Sequence, residues 1–148
     1  MSSHVDIRPA IQKDVEEIEK LVSKFGSVKE EGFEARIRRI LDSDDHHIFV
    51  AEVSSQLVGY AWVQSHGQHL RSGDTTARFN DLFVLPEFRG RKIGTLLFEA
   101  VKDWAKKSQV IYLQWQASSK AIKFYEKLGL KGDTTSDLEE HPFYELKF

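Results

Sequence analysis

The sequence predicts a mixed α/β (α+β) fold in which helices flank a central sheet. Three observations indicate it: strand-like and helix-like apolar patterns follow one another along the chain, Gly and Pro are scarce, and 148 residues is the size of one domain. The composition, 41% hydrophobic and 30% charged, is typical of a globular protein. We therefore expect residues 1–148 to form a single domain around one core.

The first half of the chain predicts a strand, two helices and a hairpin. Residues 5–8 alternate as a short strand. Apolar residues recur at helical spacing over 15–25 and, on a narrower face, over 33–41. Residues 47–53 and 57–63 are rich in β-branched and aromatic side chains and are separated by a polar trio, as in an antiparallel hairpin.

The second half contains the clearest helix. A polar loop is expected over 64–76, followed by a strand over 77–85 that Pro86 ends. From Ile93 to Ala105 the apolar residues keep helical spacing for more than three turns. The remaining elements are a strand, a helix with Gly129 as its cap, and a last strand, predicted over 110–115, 120–128 and 143–148.

Composition and charge exclude several classes of function. The chain has no cysteine, which excludes disulfides, thiolate metal sites and a cysteine nucleophile and suits a reducing compartment. It shows no secretory leader and no run of about 18 apolar residues, so we expect a cytoplasmic protein without a membrane partner. A formal net charge of -2 argues against nucleic acid as a partner.

Residues 80–95 join a strand to a strong helix through a basic, glycine-containing turn. The first amides of a helix have no intrahelical partners and lie at the positive end of its dipole, so they can bind an anion. Gly90 and Gly94 would let a phosphate approach the backbone, and the neighbouring cations would add charge. The turn therefore predicts a nucleotide-like ligand; the alternative is a purely structural turn with a solvated basic corner. Neither a Walker loop nor the full dinucleotide fingerprint is present.

The segment 89–94 resembles the acetyl-coenzyme A signature of the GCN5-related N-acetyltransferase (GNAT) family, which is Gln or Arg, two residues, Gly, one residue, then Gly or Ala. Arg89 and Gly94 match its ends, and Lys92 stands at its inner glycine. Residues 82–90 look like the family's fourth strand, and residues 121–130 look like its late helix and turn. The resemblance covers nearly the whole chain. It implies the GNAT fold: a central mixed, mostly antiparallel twisted sheet of six to seven strands, about four flanking helices, and splayed fourth and fifth strands.

The resemblance also implies an activity. The chain would be an acyl-CoA-dependent N-acetyltransferase that moves the acetyl group of acetyl-CoA, its co-substrate, to a primary amine of a small molecule or peptide. The amine would attack directly in a ternary complex, and no metal would be needed. Because many relatives form homodimers, the apolar terminal segment 143–148 would permit one here.

Two other functions stay open. Asn80, Lys92 and Ser118 depart from the family's usual residues, so the chain could be a catalytically weak acyl-CoA-binding regulatory module with the same fold. Alternatively, it could be an unrelated α/β interaction domain in which the glycine turn is only structural.

Cofactor contacts follow from the same resemblance. In the family, the backbone of the fourth strand pairs with the pantetheine arm, and an amide near the end of that strand polarises the thioester carbonyl. The turn at the start of the next helix holds the pyrophosphate. The cofactor-binding residues implied here are Leu82, Phe83, Val84, Arg89, Gly90, Arg91, Lys92, Ile93, Gly94, Thr95 and Ser118.

Two residues are candidates for catalysis. Tyr125 stands where the family has a tyrosine that protonates the departing thiolate; packing beside Phe124 is the structural alternative. An amine must lose a proton before it attacks, and Asp81 is the nearest acidic residue, acting directly or through water. A purely structural hydrogen-bond acceptor is an equal alternative for Asp81.

Histidines and acidic loops complete the candidate groups. His46, His47, His66 and His69 lack partners at a recognisable ligand spacing, so we predict no metal site. Acidic loops such as Asp42–Asp45 could attract a cationic amine, although ordinary solvated surface explains them equally well.

Overall fold

The structure, a computed structural model, describes residues 4–133, 142 and 144–148. These residues group into two compact units, Met1–Trp115 and Gln116–Phe148. Within the described ranges, no helix is long and apolar enough to cross a membrane. The single domain predicted over 1–148 stays a prediction.

The first unit contains a five-stranded mixed sheet. Its strands lie side by side in chain order, and all neighbours are antiparallel except the last pair, which is parallel. The strands are β1 (Val5–Pro9), β2 (His46–Val53), β3 (Gln56–Gln68), β4 (Thr75–Val84) and β5 (Val110–Gln114).

Three helices belong to the first unit and one to the second: α1 (Val15–Phe25), α2 (Phe33–Asp42), α3 (Ile93–Lys107) and α4 (Ile122–Lys127). Each lies in a segment that the sequence predicted as a helix, although α2 and α3 run one and two residues further. In the second unit, α4 ends at Gly129, where the Gly129 amide donates to the Glu126 carbonyl and the Leu130 amide to the Tyr125 carbonyl. This pair of bonds is the Schellman motif, and the φ of +82° at Gly129 explains the glycine.

Two sequence-based expectations were wrong. The predicted loop over 64–76 begins late, because β3 keeps pairing with β4 as far as Gln68, which lies opposite Thr75. The predicted last strand over 143–148 is not formed in residues 144–148, and residue 143 lies outside the described residues. The side chains of Tyr144, Leu146 and Phe148 are exposed, so their apolar alternation buries nothing that would stabilise a strand. The described sheet therefore has five strands, and not six to seven.

Helices cover both faces of the sheet. A Cβ atom on Gly59 would meet the side chain of Leu97 in α3, whereas the ring of the next residue, Tyr60, contacts Phe25 in α1. Successive residues of a strand point to opposite faces, so α1 and α3 lie on opposite sides of β3. The core on each side is apolar, with Ile18 from α1 and Leu97 from α3 fully buried.

Strand β4 pairs irregularly with β3 along one edge and is partly unpaired along its other edge. Asp81 lies opposite Trp62 and Phe79 lies opposite Val63, which leaves Asn80 as an extra residue in a β-bulge. On its other edge, β4 pairs with β5 only over Thr75–Arg78. Residues 79–84 of β4 thus have no strand beside them on that edge within the described part of the chain, and the predicted splay of the fourth and fifth strands is confirmed.

Candidate active site

The end of β4 turns one backbone amide toward the open edge. The Leu85 amide donates to the Val58 carbonyl of β3 over 2.8 Å. Peptide groups of neighbouring strand residues point to opposite edges, so those of Val84 point away from β3. The Val84 carbonyl accepts a 2.9 Å hydrogen bond from Arg89 Nε. The Val84 amide therefore faces the open edge.

The turn after β4 leads directly into the positive end of α3. The first intrahelical bond of α3 runs from the Leu96 amide to the Lys92 carbonyl over 3.0 Å. The amides of residues 93–95 therefore have no partner within the helix and can bind an anion. Gly90 has a φ of +81° with open space where a Cβ would lie, so a ligand can approach the backbone there.

The predicted residues of this turn play different parts. The Arg89 guanidinium lies 5.7 Å from the Phe83 ring centre and donates a hydrogen bond to the Val84 carbonyl. Arg89 therefore holds the turn against the end of β4. Arg91 lies 5.0 Å from the Phe88 ring. Lys92 is exposed, whereas the Ile93 side chain is buried in the core, which leaves only its backbone for ligand contact.

Lys92 takes a left-handed conformation, with φ +63° and ψ 17°, at the position where the resemblance places an inner glycine. That conformation costs a non-glycine residue about 1–2 kcal/mol. The backbone of Lys92 thus has the shape that glycine would take, and the departure in sequence leaves the turn geometry in place.

Asp81 lies close to a residue that the sequence analysis missed. The Tyr60 hydroxyl donates a 2.9 Å hydrogen bond to Asp81 Oδ2. Burial raises the pKa of Asp81, and the hydrogen bond from Tyr60 opposes that shift. Burial and the charge of Asp81 raise the pKa of Tyr60, so the hydroxyl stays protonated.

Three aromatic rings pack together beside this pair. The Phe25 ring lies 5.5 Å from the Phe83 ring and 6.2 Å from the Tyr60 ring, and the last two are 6.4 Å apart. Phe83 and Tyr60 are buried, whereas Phe25 is 46% exposed. We refer to Phe25, Tyr60, Phe83 and Trp62, which lies opposite Asp81, as the aromatic corner.

The second unit holds the other two predicted site residues. The Tyr125 ring lies 5.1 Å from the Phe124 ring in an edge-on contact, and burial raises the pKa of the Tyr125 hydroxyl. Ser118 is exposed, and its carbonyl accepts a hydrogen bond from the Ala121 amide over 2.9 Å.

Histidines of the first unit contact aromatic rings and backbone. His46 Nδ1 accepts a hydrogen bond from Trp62 Nε1 over 3.0 Å, and the His47 ring lies 4.8 Å from Trp104. His69 Nδ1 accepts from the Arg71 amide. Among the residues that the structure describes, no group of three or more potential ligands is placed to hold a metal ion.

Residues 44–131, which include this site, match the family model of the acetyltransferase (GNAT) domain. The chain belongs to the GNAT family. The match begins just before β2 and ends just after α4.

Two relatives show how this GNAT chain compares in sequence. An uncharacterized N-acetyltransferase of Methanocaldococcus jannaschii is 32% identical over 95 residues, which cover 62% of this chain and 42% of that protein. Glucosamine 6-phosphate N-acetyltransferase of Arabidopsis thaliana is 27% identical over 108 residues, covering 71% of this chain and 72% of that one. The matched regions span 42% of the Methanocaldococcus jannaschii protein and 65% of an uncharacterized N-acetyltransferase of Archaeoglobus fulgidus, so less than two thirds of the length of either protein is matched.

Solved structures share the GNAT fold over almost the whole chain. The aminoglycoside acetyltransferase AAC(6')-Iy in complex with the bisubstrate analogue CoA-S-monomethyl-acetylneamine has a TM-score of 0.81 at 22% identity, covering 99% of this chain and 100% of that one. Arabidopsis thaliana glucosamine-6-phosphate N-acetyltransferase has a TM-score of 0.77 at 24% identity, covering 98% of each chain.

Within the GNAT fold of this chain, the first unit brings together Asp81, the open edge of β4 and the basic turn before α3. Tyr60 was missed because its contact with Asp81 depends on the bulge at Asn80, which sets the register of the two strands. The amide nitrogen of Asn80 is itself buried without a hydrogen-bond partner among the described residues.

Proposed function

We propose that this GNAT chain is an acyl-CoA-dependent N-acetyltransferase that moves the acetyl group of acetyl-CoA to a primary amine by direct attack in a ternary complex. One observation carries the proposal: the open edge of β4, with the Val84 amide turned toward it, runs directly into a basic turn and the first three amides of α3, which have no partner within the helix. An extended arm that ends in a diphosphate fits that combination.

Each part of the co-substrate has a group suited to it. The backbone of Leu82, Phe83 and Val84 would pair with the pantetheine arm, and Gly90 to Thr95 would hold the diphosphate. Arg91 and Lys92 are exposed and would add positive charge there, whereas Arg89 would hold the strand end in place. Ser118 is proposed as a further contact.

The chemistry needs one base and one acid. Acetyl-CoA supplies a thioester as the acetyl donor. Asp81 would take a proton from the ammonium so that the nitrogen can attack the carbonyl carbon; a C–N bond forms and the C–S bond breaks. The Val84 amide would stabilise the negative charge that develops on the carbonyl oxygen.

Tyr125 would protonate the departing thiolate. Burial raises the pKa of Tyr125, so its hydroxyl carries a proton at neutral pH that it can donate to the thiolate. The nitrogen loses two protons between ammonium and amide: Asp81 takes the first, and the second leaves the nitrogen for solvent after the attack. Tyr125 regains from solvent the proton that it gives to the sulfur, and Asp81 releases its own, so one proton is released per turnover.

Thermal melting with acetyl-CoA, combined with thiol release over a panel of amines, tests the proposal. At a hundredfold excess over Kd a ligand adds about 2.7 kcal/mol of stability, so we expect Tm to rise and at least one amine to release thiol. Arg91→Ala should weaken the Tm shift, and Lys102→Ala, an exposed cation further along α3, should not.

The outcomes separate the three functions. A Tm rise without thiol release over a broad panel would favour the regulatory module. No Tm rise at saturating acetyl-CoA would overturn the proposal and favour an interaction domain.

A further inference from the structure

The α1 side of β4 presents a carboxylate among aromatic rings. Asp81 lies directly opposite Trp62 on β3, and side chains of such pairs lie on the same face, about 5 Å apart at Cβ. Tyr60 reaches Asp81 from the same face through its hydroxyl. Phe83, two residues after Asp81 on β4, shares the face and contacts Phe25.

Asp81 is only partly covered by these rings. One of its oxygens, Oδ2, accepts from Tyr60, and its side chain has no salt bridge to a Lys or Arg within the described residues. Asp81 and Trp62 both retain intermediate exposure, whereas Tyr60 is buried. Asp81 and Trp62 therefore keep part of their surface available to a ligand.

Phe25 extends the apolar wall outward. It is the last residue of α1, it packs on Phe83 and Tyr60, and 46% of its surface stays exposed. The next residue is Gly26, which has no side chain that could cover the ring. An apolar group bound beside Asp81 would gain contact with this ring.

A carboxylate with aromatic walls suits an organic ammonium ion. The charge forms an ion pair with Asp81, the rings attract it through their negative faces, and the carbon skeleton buries apolar area. The same surroundings disfavour a small polar acceptor that carries a phosphate, because its hydroxyl groups and its second anion would lose water against apolar rings. On this face of β4, Arg78 is exposed and lies beyond Trp62, opposite Gln64. The Arg89 guanidinium lies 5.7 Å from the Phe83 ring centre, and its Nε is bonded to the Val84 carbonyl.

Resting on the proposed function, we infer that the acceptor is a primary amine carried on an apolar, preferably aromatic, carbon skeleton. Asp81 holds the ammonium group, and Phe25 packs against the skeleton and determines specificity. Aminosugar phosphates are then poor acceptors, even though some relatives are glucosamine 6-phosphate N-acetyltransferases.

Acetyl transfer to three amines tests the inference: 2-phenylethylamine, methylamine and glucosamine 6-phosphate. We expect kcat/KM to be at least about tenfold higher for 2-phenylethylamine than for either of the others. Phe25→Ala should lower kcat/KM for 2-phenylethylamine about tenfold and leave that for methylamine within about twofold, because only the aromatic skeleton reaches the ring.

Ile11→Ala is the matched control, because Ile11 is also 46% exposed and lies outside the aromatic corner. Its kcat/KM for 2-phenylethylamine should stay unchanged. Preference for glucosamine 6-phosphate, or equal effects of Phe25→Ala and Ile11→Ala, would overturn the inference while acetyl transfer itself persists. Absence of transfer to every amine together with no Tm shift on acetyl-CoA would instead overturn the proposed function, and the inference with it.

Discussion

At the scale of single residues, the hydrogen bond from Tyr60 is the feature that most directly controls the Asp81 carboxylate. It stabilises the charged form of Asp81 and so opposes the increase in pKa that burial causes. The Asp81 carboxylate must be charged to accept a proton from the amine, and the proposed base therefore depends on a neighbour in another strand.

Replacing Tyr60 by Phe should move the pH dependence of activity. Without the hydrogen bond, the Asp81 pKa rises further, so the acidic limb of the kcat/KM profile shifts to higher pH. Below that limb, activity should fall about fivefold, which corresponds to about 1 kcal/mol of lost hydrogen bonding. The measurement is kcat/KM from pH 5 to 9 with a fixed amine, together with a melting curve to check folding.

Asp81→Asn provides the comparison for that experiment. It removes the titrating carboxylate while keeping the size of the side chain, so the acidic limb should disappear along with most of the activity. A Tyr60→Phe profile that superimposes on the wild-type profile would show that the hydrogen bond does not position a base. An unmoved profile in Asp81→Asn would assign the base role to another group.

Only part of the candidate active site could be predicted from the sequence. Asp81 and the glycine turn could be proposed from one stretch of sequence, because a strand, a turn and a helix follow one another there. The contact of Tyr60 with Asp81 could not, since residues 21 positions apart meet only when the strand register is known. That register depends on a bulge at Asn80, and no sequence pattern marked it.

At the scale of secondary structure elements, the close approach of β3, β4 and α3 holds the end of β4 in place. A Cβ atom on Gly59 would lie 2.8 Å from the Phe83 carbonyl oxygen, 3.2 Å from a Leu97 methyl group and 3.3 Å from Val84. The first of these contacts is with backbone, which cannot turn aside as a side chain can. Glycine at this position thus lets β3 and α3 pack closely around the strand end that carries the Val84 amide.

We expect Gly59→Ala to lower the free energy of unfolding by about 1–3 kcal/mol, the usual cost of overpacking a dense core. Urea denaturation followed by tryptophan fluorescence measures it. Gly132→Ala is the control, because no atom of the described residues lies within 4 Å of its Cβ position and its φ is not in the left-handed region. If Gly59→Ala and the wild type are equally stable, β3, β4 and α3 can move apart without lowering the free energy of unfolding.

Periodicity predicted these elements well because both faces of the sheet are covered. A long helix with one apolar face, such as α3, can be predicted from the spacing of its buried residues alone. The end of β3 and the terminal segment were predicted wrongly for a different reason. Residues 64–68 are mostly polar, and backbone pairing with β4 holds them in the strand, whereas residues 144–148 have the apolar alternation without a partner strand.

At the scale of the whole molecule, the residues proposed for the reaction are distributed over the two compact units. The base, the open strand edge and the basic turn belong to the first unit, and Tyr125 belongs to the second. In the second unit, α4 has only six residues and ends in the glycine cap that also fixes the Tyr125 carbonyl. The late helix could be recognised from sequence because that cap and the apolar pattern before it occur together.

Tyr125→Phe tests whether the second unit supplies the acid. The change removes only the hydroxyl group, so acetyl-CoA should still raise Tm as in the wild type, while kcat should fall about a hundredfold, a typical contribution of a general acid. Tyr112→Phe is the matched control, since Tyr112 lies in β5 with 55% of its surface exposed, and its kcat should not change. If Tyr125→Phe keeps full turnover in a folded protein, the thiolate takes its proton from another donor and the second unit has no catalytic part. If instead both the Tm shift and kcat are lost, Tyr125 serves binding of acetyl-CoA, because an acid that acts only on the leaving group cannot alter affinity in the ground state.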